Sequence, residues 1–104
     1  MTHDDMFQTL ADPTRRRVVA ALKRGEQSVN QIVTAVGIHQ SGVSRHLAIL
    51  SAGGFVTVRS DGAERFYSLR PQPFRELASW LNRYANVWER RQYIRVTRRK
   101  KPRY

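Results

Sequence analysis

The chain has no cysteine. Disulfides, thiolate metal sites and cysteine nucleophiles are therefore excluded, and the composition fits a reducing compartment. Long apolar runs are also missing. The longest, "VVAAL" at residues 18 to 22, is far short of the roughly 20 residues that a membrane span needs and of a signal-peptide core, so the expectation is a soluble, cytoplasmic protein with no membrane partner. Acidic residues are few: 8 against 19 Lys and Arg, a formal charge of +11 over 104 residues. That imbalance favours a polyanionic partner. It is uneven, because residues 90 to 104 carry eight basic and no acidic side chains, leaving the rest only mildly basic. A chain of this length has room for one modest core and none for a catalytic cleft between domains.

What is present is a series of short periodic segments with sharp punctuation. Met6, Phe7 and Leu10 suggest a first short helix, closed by "ADPT", where Asp12 is a good N-cap and Pro13 suits the first turn of a second helix. The second helix would bury Val18, Val19 and Leu22 and stop near Gly25. Ser28 can cap a third, whose Val29, Ile32, Val33 and Val36 share a face before Gly37 ends it. A fourth covers residues 40 to 52. "GGFVTVRSDGAERFYSL" then reads as two strands around an "SDGA" turn, with Val56, Val58, Tyr67 and Leu69 completing the core. A long helix begins near Phe74. The fold class is mainly α with a β-hairpin: four helices, the hairpin, and a final helix.

The fourth helix, "QSGVSRHLAILSA", has an unusual division. At 100° per residue Val43, Leu47 and Leu50 fall in one narrow apolar sector, while Ser41 and Arg45 point the opposite way, flanked by Gln40, Gly42 and Ser44. A small, polar, singly positive face can enter a major groove: Ser and Gln can bond base edges or phosphate oxygens, and Arg45 can bond guanine through two donors. The third helix would be the supporting half of a helix-turn-helix. A helical hairpin with a merely solvated face is the other reading. Arg59 and Arg65 flank "SDGAE" in the strands that follow, giving the hairpin the basic stem expected of a wing along phosphates, although Asp61 and Glu64 partly oppose it.

These pieces, "LADPTRR", "VSRHLAIL", "GGFV" and "RSDGAERFYSL" in that order and spacing, resemble the ArsR-type winged helix-turn-helix transcriptional repressors over roughly residues 5 to 92. The resemblance implies a homodimeric repressor, joined through its first and last helices, that inserts the helix containing "QSGVSRHL" into a two-fold symmetric operator on double-stranded DNA and releases it on an effector signal. By position, Gln40, Ser41, Ser44 and Arg45 would contact DNA, and the turn from Arg59 to Arg65 would be the wing. His39 stands where such proteins often carry a Ser or Thr cap.

Many relatives sense metals, so absences matter again. The family's thiolate site would fall within "EQSVNQI", where Ser28 and Asn30 stand; its other site needs histidine in the last helix, and residues 74 to 94 contain none. His3, His39 and His46 are the whole inventory. His46 lies beside the apolar sector, as a packing or phosphate-contacting residue. No metal and no cofactor is expected, and the effector is not specified.

In the last helix Phe74, Leu77, Trp80, Leu81, Tyr84, Val87 and Trp88 form an apolar stripe. So small a chain has little interior for it, and Leu77, Leu81, Tyr84 and Trp88 are the expected dimer surface. Residues 1–92 would form the DNA-binding and dimerisation domain and residues 93–104 a basic tail, either a solvated, disordered end or an ordered element. The rival from another class is a small basic nucleoid or ribosomal protein that binds nucleic acid by charge alone. An enzyme is the weakest reading, since no nucleophile elbow, phosphate loop or paired-carboxylate cluster appears.

Overall fold

The computed structural model describes residues 2–96, and their side chains except those of residue 86 and residues 88–96. Thr2 opens α1 (His3–Ala11) with a capping box closed by Asp5. Asp12 caps α2 (Pro13–Leu22), its carboxylate accepting from the Arg15 N–H at 2.9 Å. That hydrogen bond holds the Asp12 carboxyl below its ordinary range. Ser28 ends a two-residue strand, β1 (Gln27–Ser28), and caps α3 (Val29–Val36) by a second capping box, this time with Gln31. Next come α4 (Gln40–Ala52), β2 (Val56–Asp61), β3 (Glu64–Leu69) and α5 (Pro71–Val96).

Most of this order is the expected one. β1 is the addition: it pairs antiparallel with β3, Gln27 opposite Tyr67, and makes a sheet of order β1-β3-β2. α5 starts before Phe74 and passes through position 92, so the expected division there falls inside a helix. Residues 97–104, most of the expected tail, lie outside the described residues. The chain divides into two compact units between Phe74 and Arg75.

The core of the first unit is drawn from α1 to α4, from β2 and β3 and from the residue before β2. Val18 and Leu22 of α2, Ile32 and Val36 of α3, and Val43, Leu47 and Leu50 of α4 are buried, as are Met6, Phe55, Val56 and Tyr67. Phe55 is the largest fully buried side chain; its ring meets Phe74 edge-on at 5.3 Å, and its backbone links the Leu50 carbonyl to the Arg70 N–H. Val58 departs from expectation, for it is 47% exposed. It lies on the same sheet face as buried Val56, but β2 is an edge strand and every residue of it after Val56 is exposed. Val19 is only half-buried. No helix among the described residues is long and apolar enough to cross a membrane.

The turn between α3 and α4 depends on Gly37, whose φ of 75° places it in the left-handed region while its N–H bonds the Val33 carbonyl at 2.8 Å. No atom would obstruct a Cβ there, so the cost of a side chain is conformational alone. Gly37→Ala is expected to destabilise the fold by about 1 kcal/mol, lowering Tm by about 4–8 °C, with Gly37→Asn losing less. Thermal unfolding followed by circular dichroism checks this; an unchanged Tm in the alanine variant contradicts it.

Candidate nucleic-acid interface

α4 is divided as its sequence implies. Val43, Leu47 and Leu50 each have 0% exposure, whereas Gln40, Ser41, Ser44 and Arg45 are exposed. Ser41 and Arg45 therefore share the outer face of the first turns with Ser44 at its flank, and Gln40 is exposed at the helix start next to the helix-turn-helix bend. His46 differs from them. It is half-buried, with Nδ1 enclosed and no hydrogen-bond partner among the described residues, which places it on the flank of the helix rather than on its outer face. Gly42 also has an internal reason to be small, since a Cβ there would stand 3.2 Å from Cδ1 of Ile38 in the bend.

His39 caps α4. Its backbone is extended, at φ −62° and ψ 148°, its Nδ1 accepts from the Ser41 N–H at 3.2 Å, and Ser41 Oγ lies 2.9 Å from the same nitrogen. A backbone N–H can only donate, so Nδ1 is the unprotonated nitrogen and Nε2 carries the ring hydrogen. Histidine thus does the work of the usual hydroxyl cap.

The hairpin separates its two arginines. Residues directly opposite in an antiparallel pair share a face, and successive residues alternate. Arg59 is opposite Phe66, and Asp61 opposite Glu64; these share one face. Arg65, opposite Ser60, is on the other, with Val58, Tyr67 and buried Val56. Arg59 is held internally: its Nε and an Nη bond the two carboxylate oxygens of Glu26 at 3.1 and 2.8 Å, another Nη lies 3.8 Å from Asp61, and its guanidinium carbon sits 4.7 Å from the centre of the Phe66 ring. The hydrogen bonds between the pair hold the Glu26 carboxyl below its ordinary range and push the Arg59 guanidinium above its own. Glu26 drew no attention as sequence, being 33 positions away. Arg45 and Arg65 are exposed and have no ion-pair partner among the described residues.

The run Arg15, Arg16 and Arg17 is spent within the fold. Arg15 bonds the Thr9 carbonyl at 2.6 Å, Arg16 bonds those of Leu10 and Ala11 at 2.7 and 2.8 Å, and Arg17 bonds that of Val36. These are end carbonyls of α1 and α3, which lack partners along their own helices. No group of three or more His, Asp or Glu side chains among the described residues could hold a metal ion.

On α5, Leu77 is buried, and Leu81, Tyr84 and Val87 are exposed at 51%, 61% and 47%. The Trp80 and Tyr84 rings lie 4.9 Å apart at 51°. The side chain of Trp88, the fourth expected dimer residue, lies outside the described residues.

A bend of this kind between α3 and α4, followed by a two-stranded hairpin, is the architecture of a winged helix-turn-helix. A family model described as a helix-turn-helix domain matches residues 10–59. The arsenic resistance transcriptional regulator of Pseudomonas putida is 36% identical over 90 residues, covering 84% of this chain and 73% of that protein. The chain belongs to the ArsR family. A probable mercury resistance operon repressor of Streptomyces lividans is 40% identical over 72 residues, covering 65% of this chain. The chain spans only 58% of that repressor's length. Among solved structures, the homodimeric winged helix-turn-helix DNA-binding domain of a possible ArsR-family regulator from Mycobacterium bovis, determined by solution NMR, matches with a TM-score of 0.65 at 26% identity, covering 80% of this chain and 77% of that one. In the frame of the ArsR family, α3 and α4 are the helix-turn-helix and β2 and β3 the wing.

The His39 cap is open to a direct test. His39→Ala removes the acceptor and is expected to cost about 0.5–1 kcal/mol, whereas His39→Ser, which supplies another capping oxygen, should retain most of the stability. Equal chemical-denaturation midpoints for wild type and the alanine variant would count against the cap.

Proposed function

We propose that this chain is a sequence-specific DNA-binding transcriptional regulator, a repressor that binds a two-fold symmetric operator as a homodimer. The observation that carries the reading is the division of α4: three fully buried apolar side chains fix its inner sector, Ser41 and Arg45 occupy the exposed opposite one with Ser44 on its flank, and Gln40 is exposed at the helix start beside the bend. An exposed start of that size and polarity suits a major groove, where backbone can approach phosphates and short polar side chains can reach base edges. Arg65 on the wing is the second proposed contact. The names of the relatives support the reading, since both are called regulators or repressors. Mercury and arsenic resistance are properties of those proteins; this chain has no cysteine with which to bind such soft ions. No catalytic role is proposed.

Self-association is proposed through α5. Leu81, Tyr84 and Val87 project from one side of the helix and are 47–61% exposed, an arrangement that a second copy would cover. The homodimeric M. bovis domain supports it.

Two measurements test the two halves of the reading. If Arg45 reads a base edge, Arg45→Ala should cost about 1–3 kcal/mol on a duplex selected by the wild-type protein from a random library and much less on unselected duplex. Equal losses on both would favour binding by charge alone, in the manner of a nucleoid protein. For the interface, Leu81→Glu should give a folded monomer in sedimentation, because a side chain already 51% exposed is not needed for the protomer's core, and binding to the selected duplex should fall sharply. A wild-type monomer at micromolar concentration would overturn the dimer.

A further inference from the structure

The hairpin contains two arginines with different surroundings, and the difference assigns them different tasks. Arg59 is paired with Glu26 and lies 3.8 Å from Asp61, so the cation is met by two carboxylates, and Glu64 shares its face of the sheet. Arg65 shares its face with Ser60, Val58 and Tyr67 and meets none. That second face carries the buried Val56 and Tyr67, so it is the side of the hairpin toward the helices. The period of two along a strand prevents both arginines from meeting the same phosphate.

The hairpin also needs something to aim it. After Val56 every residue of β2 is exposed, and its edge position denies it a second neighbour. Burial therefore does not fix the direction of the outer half. Glu26 immediately precedes β1, which is itself paired with the inner part of β3. Through the two hydrogen bonds to Glu26 and the Phe66 ring beneath its guanidinium, Arg59 ties β2 to a segment already anchored on the far edge of the sheet. A lone exposed ion pair contributes little, but a bidentate pair stacked on a ring has a defined geometry that a lysine could not reproduce.

We propose that Arg59 is the positioning residue of the wing, clamped by Glu26 and Phe66, and that Arg65 is the cation the clamp delivers to a DNA phosphate. This rests on the reading of the chain as a DNA-binding regulator.

The test uses the full chain and a duplex selected by the wild-type protein from a random library, with affinity measured over a range of salt concentrations. For each protomer on the duplex, Arg65→Gln should weaken binding about fivefold near 0.15 M salt and reduce the log–log salt slope by about 0.9, the loss of one phosphate contact, so a bound homodimer loses about 1.8 of slope. The informative variant is Glu26→Gln. It removes a negative charge, so simple electrostatics would tighten binding and leave the slope unchanged or steeper. The clamp requires the opposite: weaker binding, a slope reduced by about 0.9 per protomer because Arg65 no longer reaches its phosphate, and no further loss when Arg65→Gln is added. Arg59→Lys should resemble Glu26→Gln in spite of its retained charge, and thermal unfolding should show both variants folded. Should Glu26→Gln be unstable, the pair Arg59→Gln and Arg65→Gln decides instead: losses that do not add support the clamp, and losses that add to a slope change near 1.8 per protomer, about 3.6 for the dimer, make Arg59 a second phosphate contact and overturn it. Tighter or unchanged binding by a folded Glu26→Gln also overturns it. If the wild type selects no duplex at all, the DNA-binding reading itself fails.

Discussion

Everything on the outer face of α4 depends on the inner one. Val43, Leu47 and Leu50 have no exposed surface, and their spacing of four and three residues places them on one side of the helix. Burying a side chain of this type stabilises a fold by about 1.5–3 kcal/mol, far more than any exposed polar group on the same helix can contribute to folding. The rotation of α4 about its axis is consequently set by the core, and the directions of Ser41, Ser44 and Arg45 follow from it. Because those residues contribute little to stability, their identities are free to serve another purpose. His39 and Gly37 complete the arrangement by starting the helix cleanly after a three-residue bend.

Features governed by neighbours in sequence were legible before the structure. Asp12 before Pro13, Ser28 before an apolar period and Gly37 after one are local signals, and each stands where the helices begin or end. The buried sector of α4 was legible for the same reason. What was not legible depends on pairing across distance. β1 has two residues and is a strand only because Phe66 and Tyr67 lie opposite. Val58 has the alternation of a core position, but its burial depends on which strand is at the edge. The partnership of Glu26 and Arg59 could not be seen from either residue, and the opposed faces of Arg59 and Arg65 depend on the register of the hairpin.

Charge needs the same correction. A formal +11 suggests a surface broadly attractive to a polyanion, and outside residues 90 to 104 its one run of three consecutive cations is Arg15 to Arg17. In the fold those three arginines satisfy carbonyls at the ends of α1 and α3, where α1 has no basic residue in its own last turn and the helix dipole favours a cation. Arg59 is matched by carboxylates. Residues of one type and one charge thus do two kinds of work, and the division is by partner rather than by position in the sequence. Among the exposed guanidiniums of the first unit without an ion-pair partner among the described residues are Arg45, on the recognition helix, and Arg65, on the wing, the two elements whose apolar sides are already committed to the core.

This economy bears on why such a chain would act in pairs. One base-reading arginine gives about 1–3 kcal/mol of discrimination, whereas a regulator must prefer its site over nonspecific DNA by about 4–10 kcal/mol. The outer face of α4 offers one arginine and a few short polar side chains, so a single copy falls at or below the lower bound. A two-fold partner presents the same face to a second half-site about one helical turn away, and contacts at separated positions add. In the proposed dimer the exposed Leu81, Tyr84 and Val87 of α5 would supply what that doubling needs, since apolar surface covered by a second copy gains about 25 cal/mol for each Å². In the proposed dimer the small number of reading residues and the exposed Leu81, Tyr84 and Val87 would answer one constraint: a recognition face too small to be specific alone would gain specificity by symmetry.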